Sequence, residues 1–471
     1  MVDYLFRCGV PDAESAILDP GCGDGAIIEG IVRWCRSRKL PLPRIIGVER
    51  EPHLAAASRA LFAGYPSISI VTQDFLASEP TRYQFVIGNP PYVPITALSA
   101  AQRSLFKGRF ESACGRFDLY ILFFEQAVKC LQLGGRLVFI TPEKFLYVES
   151  ARPLRKLLAQ KWVEEIRLVD ERTFGGLVTY PTITTLVNTR PDQRTLVIRR
   201  DGSAASAVLP KNGDSWLPTL NGATLRSQGL TLGDVCLRIS CGVATGADGV
   251  FVRKSEDIEP DLLPFAYPTL AGRELNLDIT GFNVRHAMLI PYSSSGRLLS
   301  EAALGALRSY LVARRTRLVR RTCVGRKPWY AFHETPPLPV ILRPKILCKD
   351  IAAHPRFWVS AQERLVPRHS VYYIVPKNQD AIELLCDYLN SPSAKKWLMA
   401  HCQRAANGFI RLQSHILKQL PIPTRIAAAL RPKPQPGADK LTTSSHRRGG
   451  QLGLPLSDSS RQAEDPAGRF D

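Results

Sequence analysis

Residues 85–93, Phe85-Val86-Ile87-Gly88-Asn89-Pro90-Pro91-Tyr92-Val93, run from a short apolar stretch into a polar corner and end in an aromatic ring. Two consecutive prolines fix φ and remove two backbone donors, so the carbonyls around Asn89 and Pro90 cannot readily join a helix or a ladder and stay outward-facing acceptors. Such a corner suits a site that must accept hydrogen bonds. The exocyclic amino group of a nucleobase is a poor nucleophile, because its lone pair is delocalised into the ring. An amide oxygen from Asn89 and the carbonyl of Pro90, both accepting from that amino group, would favour its pyramidal, nucleophilic form as the transition state develops. Tyr92 would offer the flat apolar face on which a flipped-out base stacks. Taken alone, the same nonapeptide reads equally well as a Pro-Pro turn after a buried strand.

The stretches before it shift that balance. From residue 16, short apolar runs alternate with helical stretches, the pattern of a doubly wound α/β sheet. Ala16-Ile17-Leu18 is the first strand. It breaks at Asp19-Pro20-Gly21-Cys22-Gly23-Asp24-Gly25, and Ala26 to Arg36 follows as a helix. The glycines allow a ligand close to the backbone, and the helix start offers free N–H groups. The second strand, Arg44 to Val48, ends in Glu49, where a nucleoside-binding unit places a ribose carboxylate. The third, Ser67 to Thr72, ends in Gln73-Asp74-Phe75, and the fourth ends at Asn89. Glu49 or Asp74 alone reads best as a solvated strand end or a helix cap. Four consecutive strands each carrying such a group at the carboxyl end, where open α/β sheets bind ligands, point to one shared nucleoside site.

Composition bounds the rest. The 471 residues predict two to three domains, and Lys plus Arg exceed Asp plus Glu by 62 to 42, a formal charge of +20. That excess argues for a polyanionic partner, nucleic acid first. No apolar run has bilayer length and the N-terminus lacks a signal-peptide core, so a soluble cytoplasmic protein without membrane attachment is expected. Eleven cysteines without a C-x-x-C pair read as buried reduced thiols, with neither zinc nor a disulfide framework.

From Asp19-Pro20-x-Cys22-Gly23-x-Gly25 to Asn89-Pro90-Pro91-Tyr92, the chain resembles the amino-methyltransferases of DNA, particularly the TaqI-like adenine-specific enzymes of restriction–modification systems. The resemblance covers about residues 14 to 425 and has the gamma order of glycine loop, tetrapeptide and target-recognition region. It implies a class I S-adenosylmethionine-dependent methyltransferase fold, Rossmann-like with a mostly parallel seven-stranded sheet, followed by a mixed α+β target-recognition domain. Carried over, it places Asp19, Gly21, Cys22 and Gly23 around the methionine part of S-adenosyl-L-methionine. It likewise puts Glu49 on the ribose, Asp74 with Phe75 around the adenine, and makes Asn89, Pro90, Pro91 and Tyr92 the catalytic set. Phe174 is the implied second aromatic stacking on the target base, with Tyr180 the competitor. The family's segment ahead of the first strand is represented here only by Met1 to Val10, from which weak cofactor binding is expected.

Further along, Gly115-Arg116-Phe117-Asp118-Leu119-Tyr120 opens a helix beside the tetrapeptide, Leu137 to Ile140 and Val163 to Val169 are strands, and Tyr180 to Val187 closes the sheet. The expected divisions are 1–190 for the methyltransferase domain, 191–227 for a linker with a hairpin, 228–425 for DNA target recognition and 426–471 for a disordered tail. Arg314, Arg315, Arg317, Arg320, Arg321, Arg326 and Lys327 lie together without an acid among them. Such a run is usually a solvated face; in so basic a chain, DNA phosphate contact is the preferred reading. The reading is therefore adenine methylation in double-stranded DNA, with a cognate restriction endonuclease as a candidate partner. Its alternatives are methylation of RNA bases, methylation of a protein glutamine amide, or a catalytically impaired DNA-binding specificity protein. The basic C-terminal half argues against the glutamine enzymes, and Asn89, Pro90 and Tyr92 together argue against the impaired form.

Overall fold

The computed structural model describes residues 1–169, 180–222, 229–275, 284–362, 364–405 and 408–431. Strand β1 (Ala16–Pro20) lies between two parallel partners, β2 (Arg44–Glu49) and β4 (Tyr83–Gly88). Outside them run β3 (Ile68–Thr72), parallel to β2, and β5 (Leu131–Pro142), parallel to β4. The sheet then reverses: β7 (Pro181–Val187) is antiparallel to both β5 and β6 (Trp162–Leu168). The seven expected strands are present, and β5, expected as Leu137 to Ile140, begins earlier, at Leu131.

Two more extend the sheet. Residues 191–227 were expected as a linker with a hairpin; β8 (Thr195–Ile198) pairs in parallel with β6, and β9 (Ala204–Ala207) returns antiparallel to β8. The sheet therefore has nine strands, in the order β3-β2-β1-β4-β5-β7-β6-β8-β9. Trp216 and Leu220, fully buried, belong to the core of this first half. The polar composition of the hairpin hid this, because β8 buries only alternate residues at the end of a sheet.

Strand alternation builds two cores from the same strands. Ile17, Ile45, Ile70, Phe85, Ile87 and Val138 face α2 (Ala26–Ser37) and α3 (Pro52–Leu61). Leu18, Val48, Val86, Leu137 and Phe139 face the other way, onto the helix Leu119–Lys129, whose side chains are buried from Leu119 to Val128. A sheet covered on both sides produces such near-continuous apolar strands. Near the N-terminus the helix Val2–Leu5 leads into Phe6, whose ring meets Trp34 at 4.7 Å and Phe85 at 5.3 Å.

The second half is mixed α+β. A four-stranded antiparallel sheet orders Cys236–Cys241, Val371–Pro376, Lys345–Lys349 and Phe357–Ser360, and a three-stranded one orders Val252–Lys254, His286–Leu289 and Ala266–Thr269. The helix Thr424–Leu430 runs past residue 425, with Leu430 buried, so residues 426–430 of the expected tail are helical; residues 432–471 lie outside the described residues. Among the described residues no helix is long and apolar enough to cross a membrane.

One buried cation holds the loop after β5. Arg155, 1% exposed, donates to the carbonyls of Phe145 and Val148 (both 2.8 Å), Gly213 (2.9 Å) and Asp214 (3.0 Å). Replacing it by Met strands these acceptors in a dry site. Since each buried unsatisfied polar group costs about 1–3 kcal/mol, Arg155→Met is expected to lose about 3 kcal/mol or more, read as a lower urea midpoint at unchanged slope.

Candidate active site

The carboxyl ends of β1, β2, β3 and β4 converge on one cavity of about 400 Å³. Its wall carries Gly21, Glu49, Asp74, Phe75, Asn89 and Pro91 from the sequence-predicted set. Asp19, Cys22, Gly23, Pro90 and Tyr92 are not on that wall, and the structure explains where each goes.

Asp19 is fully buried and neither carboxylate oxygen has a partner. Burial, with the Glu49 charge adding to it, pushes its pKa up to about 8. Its carboxylate lies beside β4: a Cβ on Gly88 would sit 3.5 Å from Asp19 Oδ1. Cys22 is buried and its N–H donates to the Val48 carbonyl at 3.0 Å, as Gly21 N–H does at 2.7 Å, which ties the glycine loop to β2. That loop packs so tightly on Gly47 that a Cβ there would stand 2.9 Å from Cys22 Sγ and 2.7 Å from Ile70. Gly23 donates to Glu49 Oε2 at 2.9 Å, while Glu49 Oε1 accepts from Glu51 N–H at 2.8 Å. The Glu49 carboxylate thus sets the glycine loop against the start of α3 while lining the cavity.

Asp74 Oδ1 accepts from Leu76 N–H at 2.9 Å, and Phe75 packs on Phe123 at 5.3 Å. The cavity also takes Glu51 and Leu54 from the start of α3, and Leu98, Gln102 and Phe106 around the helix Ala100–Arg109. That helix went unread in the sequence, although Ser99 and Gln102 form a capping box, the one local signal available. Phe123 is both core and cavity wall.

These residues fit S-adenosyl-L-methionine, the cofactor that the resemblance implies. Gly21, at φ 76°, presents bare backbone; Glu49, Glu51 and Asp74 supply acceptors for hydroxyls and for a cationic ligand; Leu54, Phe106 and Phe123 supply an apolar wall. Among the described residues the only cation on the wall, Arg50, is paired with Glu51 at 2.8 Å.

The tetrapeptide closes one end. Asn89 is exposed at the mouth, and Tyr92 donates its hydroxyl to Asn89 Oδ1 at 2.7 Å, with the Ile140 carbonyl a second acceptor at 3.2 Å. Burial raises the Tyr92 pKa to about 12, so it remains a donor throughout the neutral range. The residue stays 36% exposed, and Tyr120 meets its ring edge-on at 6.1 Å. Among the described residues the Pro90 carbonyl has no backbone donor. Residues 93–95 are clamped to 117–119, with Leu119 N–H on Val93 O at 2.8 Å and Ile95 N–H on Phe117 O at 3.0 Å.

Phe174 lies outside the described residues. Tyr180, its competitor, donates to the Ala405 carbonyl at 2.8 Å, so its hydroxyl joins the two halves of the chain. The basic run divides by role. Arg321 is spent on the carbonyls of Leu318, Thr245, Ala331 and Trp329, Lys327 on that of His333, and Arg314 stacks on Tyr310 at 3.8 Å. Arg315, Arg317, Arg320 and Arg326 are exposed, with Arg315 over the Trp329 ring at 5.2 Å.

The buried Asp19 has a consequence for pH dependence. A carboxyl whose folded pKa is raised keeps its proton while the unfolded chain loses it, so stability falls as pH rises from the ordinary carboxylate range to about 8. Asp19→Asn is expected to flatten that slope in a melting-temperature series between about pH 4 and pH 8, those limits being about the unfolded and folded pKa values in question.

Residues 57–174 match the Eco57I restriction-modification methylase family, and residues 268–422 match the TaqI-like C-terminal specificity domain. Type II methyltransferase M.PaeR7I of Pseudomonas aeruginosa is 27% identical over 73% of this chain and 65% of its own length. For M.XhoI of Xanthomonas vasicola the figures are 26%, 75% and 71%. The Type IIL restriction-modification enzyme MmeI, solved in complex with DNA, shares the fold over 86% of this chain and 62% of its own, with a TM-score of 0.61 at 14% identity. The chain thus carries a segment matching a restriction-modification methylase followed by one matching a TaqI-like specificity domain, and is similar over about three quarters of its length to Type II methyltransferases.

Proposed function

We propose that the protein methylates the exocyclic amino group of an adenine flipped out of double-stranded DNA, at sites chosen by its second half. The observation that carries this reading is the placement of Asn89 at the mouth of the cavity, its amide oxygen oriented by Tyr92. When bound, S-adenosyl-L-methionine supplies an electrophilic methyl group on a sulfonium sulfur. Glu49 and Asp74 hold its ribose and adenine, and Gly21 lets its methionine part approach the backbone.

Asn89 Oδ1 has one lone pair engaged by Tyr92 and another free; with the Pro90 carbonyl it accepts the two N–H groups of the target. Two acceptors in fixed positions turn the nitrogen lone pair out of conjugation and toward the cavity. No side chain has to be deprotonated first, and Tyr92, protonated at neutral pH, does not act as a base. Its exposed face stacks on the base and fixes the approach of the nitrogen, which makes positioning the main contribution. The proton released after transfer leaves through the same acceptors to water. The second half presents Arg317, Arg320 and Arg326 to phosphates.

Incubation with labelled S-adenosyl-L-methionine and unmethylated genomic DNA, followed by nucleoside digestion, is expected to give N6-methyladenine. Asn89→Ala should lower the rate at least about a hundredfold, the scale on which removing one preorganised transition-state contact acts. Label in cytosine, or none in DNA with cofactor bound, would refute the proposal. A triple Arg317→Ala, Arg320→Ala, Arg326→Ala variant should bind DNA more weakly and with a shallower salt dependence, by up to about 0.9 in slope for each phosphate contact removed. An unchanged slope would mean that this face is only solvated.

A further inference from the structure

The hairpin β8–β9 adds two strands to the seven expected, and its turn lies at the edge of the sheet where the site is built. Because β8 runs parallel to β6, with Arg167 opposite Ile198, its carboxyl end reaches the same edge as the ends of β1, β2 and β4. Arg200, two residues beyond β8, therefore arrives next to Val169 at the end of β6. Glu143 and Tyr180 flank the same place, since they adjoin the paired residues Pro142 and Pro181 that end β5 and begin β7.

A turn at the end of an edge hairpin is ordinarily solvated, yet the Arg200 side chain is only 20% exposed. Its guanidinium makes three contacts. It pairs with the Glu143 carboxylate, donates from Nε to the Val169 carbonyl at 3.2 Å, and lies over the Tyr180 ring, 5.1 Å from the centroid. The Glu143 side chain is 4% exposed; burial raises its pKa, against the pull of Arg200 and then of Arg404 from the second half. Glu143 N–H donates to the Tyr180 carbonyl at 2.8 Å, so carboxylate, guanidinium and ring form one closed group across the ends of β5, β6 and β7.

Tyr180 carries the connection onward, its hydroxyl donating to the Ala405 carbonyl at 2.8 Å. Ala405 follows the first strand of a hairpin in which Gln403–Arg404 pairs with Ile410–Arg411, and Ile410–Arg411 pairs in turn with Ile351–Ala352. The Ala405 N–H donates to the Phe409 carbonyl at 2.7 Å. A continuous path thus runs from the residue after β5, through Arg200 and Tyr180, to a small sheet of the second half. On that hairpin Gln403 shares a cleft with Tyr120, whose ring meets Tyr92 of the tetrapeptide.

We propose that Arg200 is a positioning residue that sets the hairpin Gln403–Arg411 of the second half against the methylase sheet, which is what the β8–β9 hairpin contributes to the reaction. An arginine suits this place because one planar group offers donors in fixed directions and a face to an aromatic ring, whereas lysine offers only a charge. The effect on turnover rests on the reading of the reaction given above; the placement of the hairpin does not.

The test uses the full chain with Arg200→Lys, Tyr180→Phe and the double variant. Arg200→Lys keeps a charge for Glu143, and Tyr180→Phe removes one hydroxyl, so both should fold. Amide hydrogen exchange at Arg404, Ala405 and Ile410 is expected to quicken about two- to tenfold in each, the scale of one hydrogen bond, with the strands Lys345–Lys349 and Val371–Pro376 unchanged. With unmethylated DNA and labelled S-adenosyl-L-methionine, kcat should fall about two- to tenfold while the cofactor KM changes less than about twofold. The double variant should be no slower than Arg200→Lys, since both changes cut the same path. Unchanged exchange at the hairpin, full kcat in Arg200→Lys, or losses that multiply in the double variant overturn the proposal. If the parent chain transfers no methyl group to DNA, the reading of the reaction fails and the exchange result alone decides whether Arg200 holds the hairpin.

Discussion

The site depends on the parallel pairing of β1 with β2 and β4. In that register Asp19 stands beside Gly47, and Ile17 beside Phe85, so the ends of three strands reach the same edge of the sheet together. Parallel strands joined by helical crossovers end at one side, and the loops that follow them have to share it. The glycine loop, Glu49, Gln73-Asp74-Phe75 and Asn89 are those loops. Gly47 permits the arrangement, since any side chain there would displace the Cys22 and Ile70 side chains that press on it.

Within this frame, carboxylates do two kinds of work. Glu49 accepts two backbone N–H groups and so fixes the shape of the cavity it lines. Asp19 has no partner at all and is held near neutral charge by burial. A charged Asp19 without donors would be costly in so dry a place. The tetrapeptide is organised differently: the Tyr92 hydroxyl orients the amide of Asn89, and the pairing of 93–95 with 117–119 restrains the loop that carries both.

Among the described residues, side chains of the first half reach the second at several points. Tyr180 donates to Ala405, Asn221 donates to the Ala400 carbonyl at 2.8 Å, and Gln403 enters the cleft lined by Tyr120 and Lys144. Glu143, buried directly after β5, is paired with Arg200, whose guanidinium lies over the Tyr180 ring at 5.1 Å. Arg200 lies in the turn between β8 and β9, so that hairpin and the loop after β5 meet here.

What was legible from sequence follows period and punctuation. The strands and helices of the first half show alternate or continuous apolar runs bounded by Gly, Pro and Asp, and the tetrapeptide is rigid because of its own prolines; these are local properties, and residue order alone determined them. The hairpin 195–207 is too polar to declare that it joins a sheet, and the helix Ala100–Arg109 is mostly solvent-facing, with Phe106 its one buried residue. Only the tertiary structure decided that Asp19 is fully buried and off the cavity wall, that Arg321 is consumed by four carbonyls while Arg315, Arg317 and Arg320 are exposed, and that Gln403 shares a cleft with Tyr120 across 283 positions of chain. Each of those facts depends on which distant segment packs against a residue, and a carboxylate or guanidinium carries no mark in the sequence of what will surround it.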